Sequence, residues 1–264
     1  MKLRPWMLGW TVSLTLVGGA AAADRYESAI GAGTGDNDAG TSVELLHGRL
    51  RAHDLEAGAT PDEDWSFVQE TVGHSYEVTV MNTPLRWQSA PTAGYVTMNR
   101  VDDAGAILTA GQPLNVYRGA FAVRWIVTSS PAGYTFVRVV GLPNLGTTAV
   151  YEIQMRDTTY SVPRWNNSAT QVTVFVIANT KGEAVSGDIY FYDAGGALLT
   201  TQAFSVPAFG LHVVNTASIP ALAGLSGSAQ IAHLGGYGAL SGKAVALEPS
   251  TGFTFDTAMT PIPH

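Results

Sequence analysis

The stretch TPDEDWSFVQETVGHSYEVTV, Thr60 to Val80, passes from three acids and a tryptophan into alternating apolar residues. In His74-Ser75-Tyr76-Glu77-Val78-Thr79-Val80 the apolar side chains fall at Tyr76, Val78 and Val80, a period of two. Successive side chains of a strand point to opposite faces, so this period predicts a half-buried β-strand with those three residues on its core face. The same rhythm recurs downstream. Ala122 to Val127 and Thr135 to Val140 read as strands joined by the turn-forming run Ser129-Ser130-Pro131-Ala132-Gly133, and Val150 to Met155 reads as the strand that closes this half.

Arg156 to Arg164 is polar and contains a proline, and reads as a domain boundary. A second series follows: Gln171 to Ala178, Asp188 to Tyr192, Leu198 to Phe204, Leu211 to Val214, Ser228 to His233, Gly242 to Glu248 and Gly252 to Phe255. Two of these runs flank Asp193-Ala194-Gly195-Gly196, the composition of a hairpin turn. About seven short strands separated by turn signals point to a β-sandwich. Helical patterning is confined to the first residues and a turn or two around Thr41 to Leu50, while Asp24 to Gly40 reads as a leader loop lying along the first domain. The expected fold is all-β, two consecutive sandwiches over residues 24–156 and 157–264. Strand spacing alone does not separate an immunoglobulin-like order from a jelly roll.

Composition sets the compartment and excludes several chemistries. Lys2 and Arg4, the apolar run Trp6 to Val17 and the small residues Ala20 to Ala23 form the pattern of a cleaved signal peptide over residues 1–23. That run is shorter than the roughly 20 residues a spanning helix needs. The expected mature chain is secreted, periplasmic or extracellular, with no membrane insertion after cleavage. The 264 residues contain no cysteine, which excludes thiolate catalysis and cysteine-ligated metals. Losing Lys2 and Arg4 takes the formal net charge from −7 to −9, which disfavours nucleic acid and anionic membranes as partners and makes calcium easier to hold.

Four short motifs occur in a fixed order: Asn37-Asp38, Leu45-Leu46-His47-Gly48, Asp62-Glu63-Asp64-Trp65-Ser66-Phe67, and Gly73-His74-Ser75-Tyr76-Glu77-Val78. In that order they resemble the bacterial pre-peptidase C-terminal (PPC) domain, over about residues 26–155. The resemblance implies a jelly-roll-like β-sandwich module of the kind attached to secreted enzymes, especially proteases. Related modules in clostridial collagenases bind calcium and collagen. From Tyr160 to Pro261 the hairpin and strand rhythm resembles a bacterial immunoglobulin-like sandwich.

Asp62 and Asp64, with Asp36, Asn37 and Asp38 of the leader, are the candidate calcium ligands, because calcium takes six to eight oxygens from clustered carboxylates and carbonyls. The plainer reading makes Asp62 a turn cap, leaves the other acids solvated and drops Trp65 and Phe67 into the core. It is preferred, because no strict calcium-loop spacing is present. A glycosidase pair needs two acids set across a cleft, and neighbouring residues of a strand face opposite ways. His47, His53, His74, His212 and His233 form no H-E-x-x-H or other close pair. Gly224-Leu225-Ser226-Gly227-Ser228 lacks the last glycine of a nucleophile elbow, and Gly31 to Gly35 has neither the strand nor the helix of a phosphate loop. Among many aromatics, including Trp87, Tyr95, Tyr117, Trp125 and Tyr237, Trp165 stands in the polar run Pro163-Arg164-Trp165-Asn166-Asn167. It is the candidate exposed ligand-binding residue, and packing between the domains explains its place equally well.

The expected function is a secreted, non-catalytic binding or accessory protein acting on an extracellular polymer, a cell-surface component or a partner protein. The alternatives are a structural subunit of a surface assembly and a hydrolase with a dispersed acidic site in the first domain.

Overall fold

The computed structural model describes residues 36–55, 62–82, 96–115, 120–130, 132–141 and 149–263. The signal-like segment, the glycine run 31–35, Trp87, Tyr95 and Tyr117 lie outside the described residues. The first half contains β1 (Leu50–Leu55), β2 (Glu63–Gln69), β3 (Ser75–Asn82), β4 (Val96–Val101), β5 (Ile107–Ala110), β6 (Gln112–Asn115), β7 (Ala120–Ile126), β8 (Tyr134–Gly141) and β9 (Ala149–Asp157). The second contains β10 (Tyr160–Asn166), β11 (Val172–Asn179), β12 (Val185–Asp193), β13 (Leu198–Val206), β14 (Leu211–Asn215), β15 (Ser226–His233), β16 (Leu240–Glu248), β17 (Phe253–Ala258) and β18 (Thr260–Pro261). Two single-turn 3-10 helices, Thr216–Ser218 and Pro220–Leu222, join β14 to β15. Among the described residues no helix is long and apolar enough to cross a membrane.

In the first sandwich a sheet of order β1-β9-β3-β7-β6 faces a sheet of order β2-β8-β4-β5, with antiparallel strand pairs. Leaving aside β6 at the edge, eight strands divide between the sheets as 1-9-3-7 and 2-8-4-5, the double Greek key of a jelly roll. Tyr76, Val78 and Val80 are buried on one face of β3, as their spacing predicts. On β2 the faces fall differently from the preferred sequence reading. Asp64, Ser66 and Val68 turn into the space between the sheets, and Trp65 and Phe67 turn outward into a separate cluster with Val101 and Phe136. Trp65 is still 94% shielded: Ala39 and the Arg138 guanidinium, 5.4 Å from the ring centroid, cover it. Its indole N–H points to Glu63 Oε2 at 3.3 Å.

The segment Thr41 to Leu50 is extended, not helical. The Phe67 N–H donates to Val43 O and the Leu45 N–H to Phe67 O, so this segment bridges to the free edge of β2. Val43 and Leu45, two residues apart, are both buried, a strand period that outweighs the weaker helical one.

In the second sandwich β13-β12-β15-β10-β18 packs on β14-β11-β16-β17 around Trp165, Phe175, Ile189, Phe191 and Ile231. The pairs β11-β14 and β12-β15 are those of an immunoglobulin-like core. The outer strands differ from that order: the first strand, β10, pairs with β15 instead of β11, and β16 pairs with β11 instead of β15. The expected boundary at Arg156 to Arg164 also contracts. β9 runs to Asp157 and β10 starts at Tyr160, leaving the buried Thr158-Thr159 as the joint. Pro163 hides β10 from a sequence reading. It has no N–H for a ladder and sits where the register shifts between Val162 and Trp165, the bulge position a proline tolerates.

Candidate functional site

The acidic turn delivers one of its three acids to the interior. Asp64 meets Tyr151 of β9, whose hydroxyl donates to Asp64 Oδ2 at 2.5 Å, and His53 of β1 stands opposite Tyr151 in the ladder with its ring stacked at 5.5 Å. Asp36 closes the group: its carbonyl accepts the Trp65 N–H, and its Oδ2 lies 3.3 Å from His53 Nδ1. Asp36, His53, Asp64 and Tyr151 are each at most 1% exposed. Burial drives the Asp64 carboxyl up to about 8, Tyr151 opposes the rise by hydrogen bonding, and the nearby charges of Asp36 and Asp62 add to it. At neutral pH Asp64 is therefore largely protonated.

Of the five candidate calcium ligands, the fold brings Asp36 and Asp64 together and leaves Asp62 half-buried beside them. Asn37 and Asp38 are exposed, and Asp38 Oδ1 accepts the Gly40 N–H at 2.7 Å. Asp36 Oδ1 and Asp64 Oδ1 are buried without a hydrogen bond, which a cation could satisfy. An imidazole stands beside Asp36 where calcium would take an oxygen, and among the described residues no three His, Asp or Glu side chains converge as a metal site. The same burial shields the Asp36 and Asp64 carboxyls from solvent.

A second network joins the sandwiches, and sequence reading missed it. His74 Nδ1 donates to Asp157 Oδ2 at 2.6 Å, and the Asp157 N–H donates to His47 Nδ1 at 2.9 Å. Burial pushes Asp157 up, but hydrogen bonds from His74 and Thr159 outweigh it and hold the carboxyl below its ordinary value. Ser75 Oγ, paired with Thr158 Oγ1, accepts the His233 N–H at 3.1 Å from the other sandwich. Glu77 takes Arg124 Nε at 2.7 Å and, through its second oxygen, the Tyr237 N–H at 2.9 Å. The Tyr237 ring lies under the Arg156 guanidinium at 4.5 Å, with His47 edge-on at 6.0 Å. A Cβ at position 236 would sit 3.0 Å from Glu77 Oε1 and 3.1 Å from Arg124 Nη2, so any larger residue there would press on this ion pair. Buried beside Tyr160, His233 has its imidazole pushed down to about 4, chiefly by desolvation. His74, Ser75 and Glu77 fall on one short stretch whose partners lie 47 to 160 residues away, so no local pattern announces the network.

An open cavity of about 360 Å³ lies where β10 bulges past the ends of β12 and β15, lined among others by Arg164, Asp193, Ser226 and Ser228. The expected exposure of Trp165 is corrected here. Its ring is 0% exposed, edge-on to Phe191 in the core, and its indole N–H donates to Ser228 O at 2.8 Å. The bulge turns Pro163 and Arg164 outward and the indole inward.

No protein-family model matches the chain, and no curated protein is detectably similar to it.

Proposed function

We propose that the chain is an extracytoplasmic, non-catalytic binding protein in which two sandwiches act as one body. One observation supports it above the others: Asp64, Asp157 and His233, whose ionisation is displaced, are sealed inside networks that hold the fold and the joint, while the open cavity presents unspent polar groups. The likeness of the first half to PPC modules and the signal-like start agree with this reading. Its partner is an extracellular polymer or a cell-surface component, and the reading needs no calcium. Co-sedimentation with cell-envelope material and insoluble polysaccharides tests it. Retention by at least one is expected; recovery of the whole protein in every supernatant would contradict it.

A structural subunit is the second reading, favoured by the outer face of the β14-β11-β16 sheet. Leu211 and Val213 are 64% and 58% exposed there, beside the half-buried Val174, Val176 and Val245. Lys243 opposite Val176 and Asn215 opposite Val174 interrupt this apolar run, and exposed apolar side chains clustered on a sheet face are a common docking feature. Elution volume that shifts with concentration in size-exclusion chromatography would move the weight to that reading.

A further inference from the structure

The bulge in β10 is the starting point. Bulges re-aim side chains and gather near functional sites. This one sets Pro163 and Arg164 out to solvent while Trp165 returns to the core. Arg100, Arg124 and Arg138 are ion-paired with Glu70, Glu77 and Glu63, and Arg156 covers Tyr237. Arg164 has neither a hydrogen bond nor an ion pair with any described residue, and it lines the cavity. A guanidinium is a planar fork of donors shaped for a carboxylate.

The rest of the lining asks for the opposite. Asp193 Oδ1 already accepts the Gly195 and Ala197 N–H groups at 2.8 Å each, so its charge is offset by the turn and Oδ2 is left as an acceptor. Ser226 and Ser228 add hydroxyls that both give and accept. Gly227 between them admits no side chain, because a Cβ there would lie 1.9 Å from Tyr192 O. A ligand complementary to this set carries an anionic acceptor for Arg164 and several O–H donors for Asp193 and the serines. A phosphate ester supplies the anion without the donors. A neutral sugar supplies the donors and leaves Arg164 without an anion. An amino acid offers a single ammonium to a carboxylate the turn has already partly neutralised.

We infer that this cavity is a subsite for a uronic-acid unit, a sugar ring bearing a carboxylate, within an acidic polysaccharide. The inference rests on the reading of the chain as a polymer-binding protein. The cavity volume is at the small end for ligand sites, and its open mouth lets a chain continue to either side of one bound ring.

Trigalacturonic acid, its methyl ester and maltotriose are titrated into the whole protein by calorimetry and by two-dimensional NMR. Because its N–H is bonded to Ser228 O at the cavity wall, the Trp165 indole reports on occupancy without touching solvent. Trigalacturonate is expected to bind and shift that resonance, and the ester and maltotriose are not. Arg164→Gln, at an exposed position, is expected to weaken binding roughly ten- to a hundredfold, the effect of losing one charge-assisted hydrogen-bonding group. Equal binding by the variant, equal binding of the ester, an unmoved Trp165 signal or preference for free glutamate would each overturn the subsite. If envelope material or another polymer still retains the protein in those cases, the binding reading stands and the subsite alone falls. If nothing retains it, the reading falls with it.

Discussion

Asp64 and His233 titrate in opposite senses, and each leaves a signature in the pH dependence of stability. The Asp64 carboxyl, ordinarily near 3.8, is raised to about 8 in the folded chain. The native state therefore holds its proton more tightly than the unfolded chain, and stability falls as pH rises from about 4 to about 8. The His233 imidazole, ordinarily near 6.5, is lowered to about 4, so the stability of its neutral form is lost as pH falls from 6.5 toward 4. The two slopes oppose each other below pH 6.5, and above it Asp64 acts alone. The melting temperature is expected to decline between pH 6.5 and 8 in the native protein and to stay level in Asp64→Asn, which keeps an oxygen for Tyr151. An undiminished decline in the variant would place the titrating group elsewhere. Millimolar calcium is expected to leave these curves unchanged; a rise that Asp64→Asn abolishes would make the cluster a cation site after all.

At the scale of the strand, the two tryptophans of polar surroundings differ in what covers them. Trp165 is enclosed by the main core of its sandwich with its N–H satisfied, whereas Trp65 lies on the outside of β2 beneath Ala39 and a guanidinium. Trp165→Ala is expected to cost about 5 kcal/mol, the top of the range for emptying a large aromatic site, and Trp65→Ala about 3 kcal/mol. Chemical denaturation measures both, and a larger loss at Trp65 would reverse the assignment of faces on β2. These positions also mark what is legible in the sequence. Tyr76, Val78 and Val80 declare their strand because alternation is local, and the Asp193 to Gly196 hairpin declares itself by turn composition. β10 does not, because its proline and polar residues belong to a bulge that has meaning only against β15. Alternation already assigns Asp64 to the face of Ser66 and Val68, but its partners His53 and Tyr151 come from strands whose pairing no spacing reveals.

For the whole molecule, the short Thr158-Thr159 joint and the contacts made by Ser75, Glu77 and Tyr237 bind the two sandwiches as one body. Independent domains expose their hydrogen-bonding groups to water at a linker, whereas here Ser75, Glu77, Asp157 and His233 are all buried at the seam. The chain has no cysteine, so thiols introduced at Leu108 on β5 and Ser205 on β13, both exposed, can carry a single pair of spin labels. The electron–electron distance between them is expected to be one narrow distribution that broadens when Ser75 and Glu77 are both replaced by Ala. A broad distribution in the chain with its joint intact would contradict the single-body account.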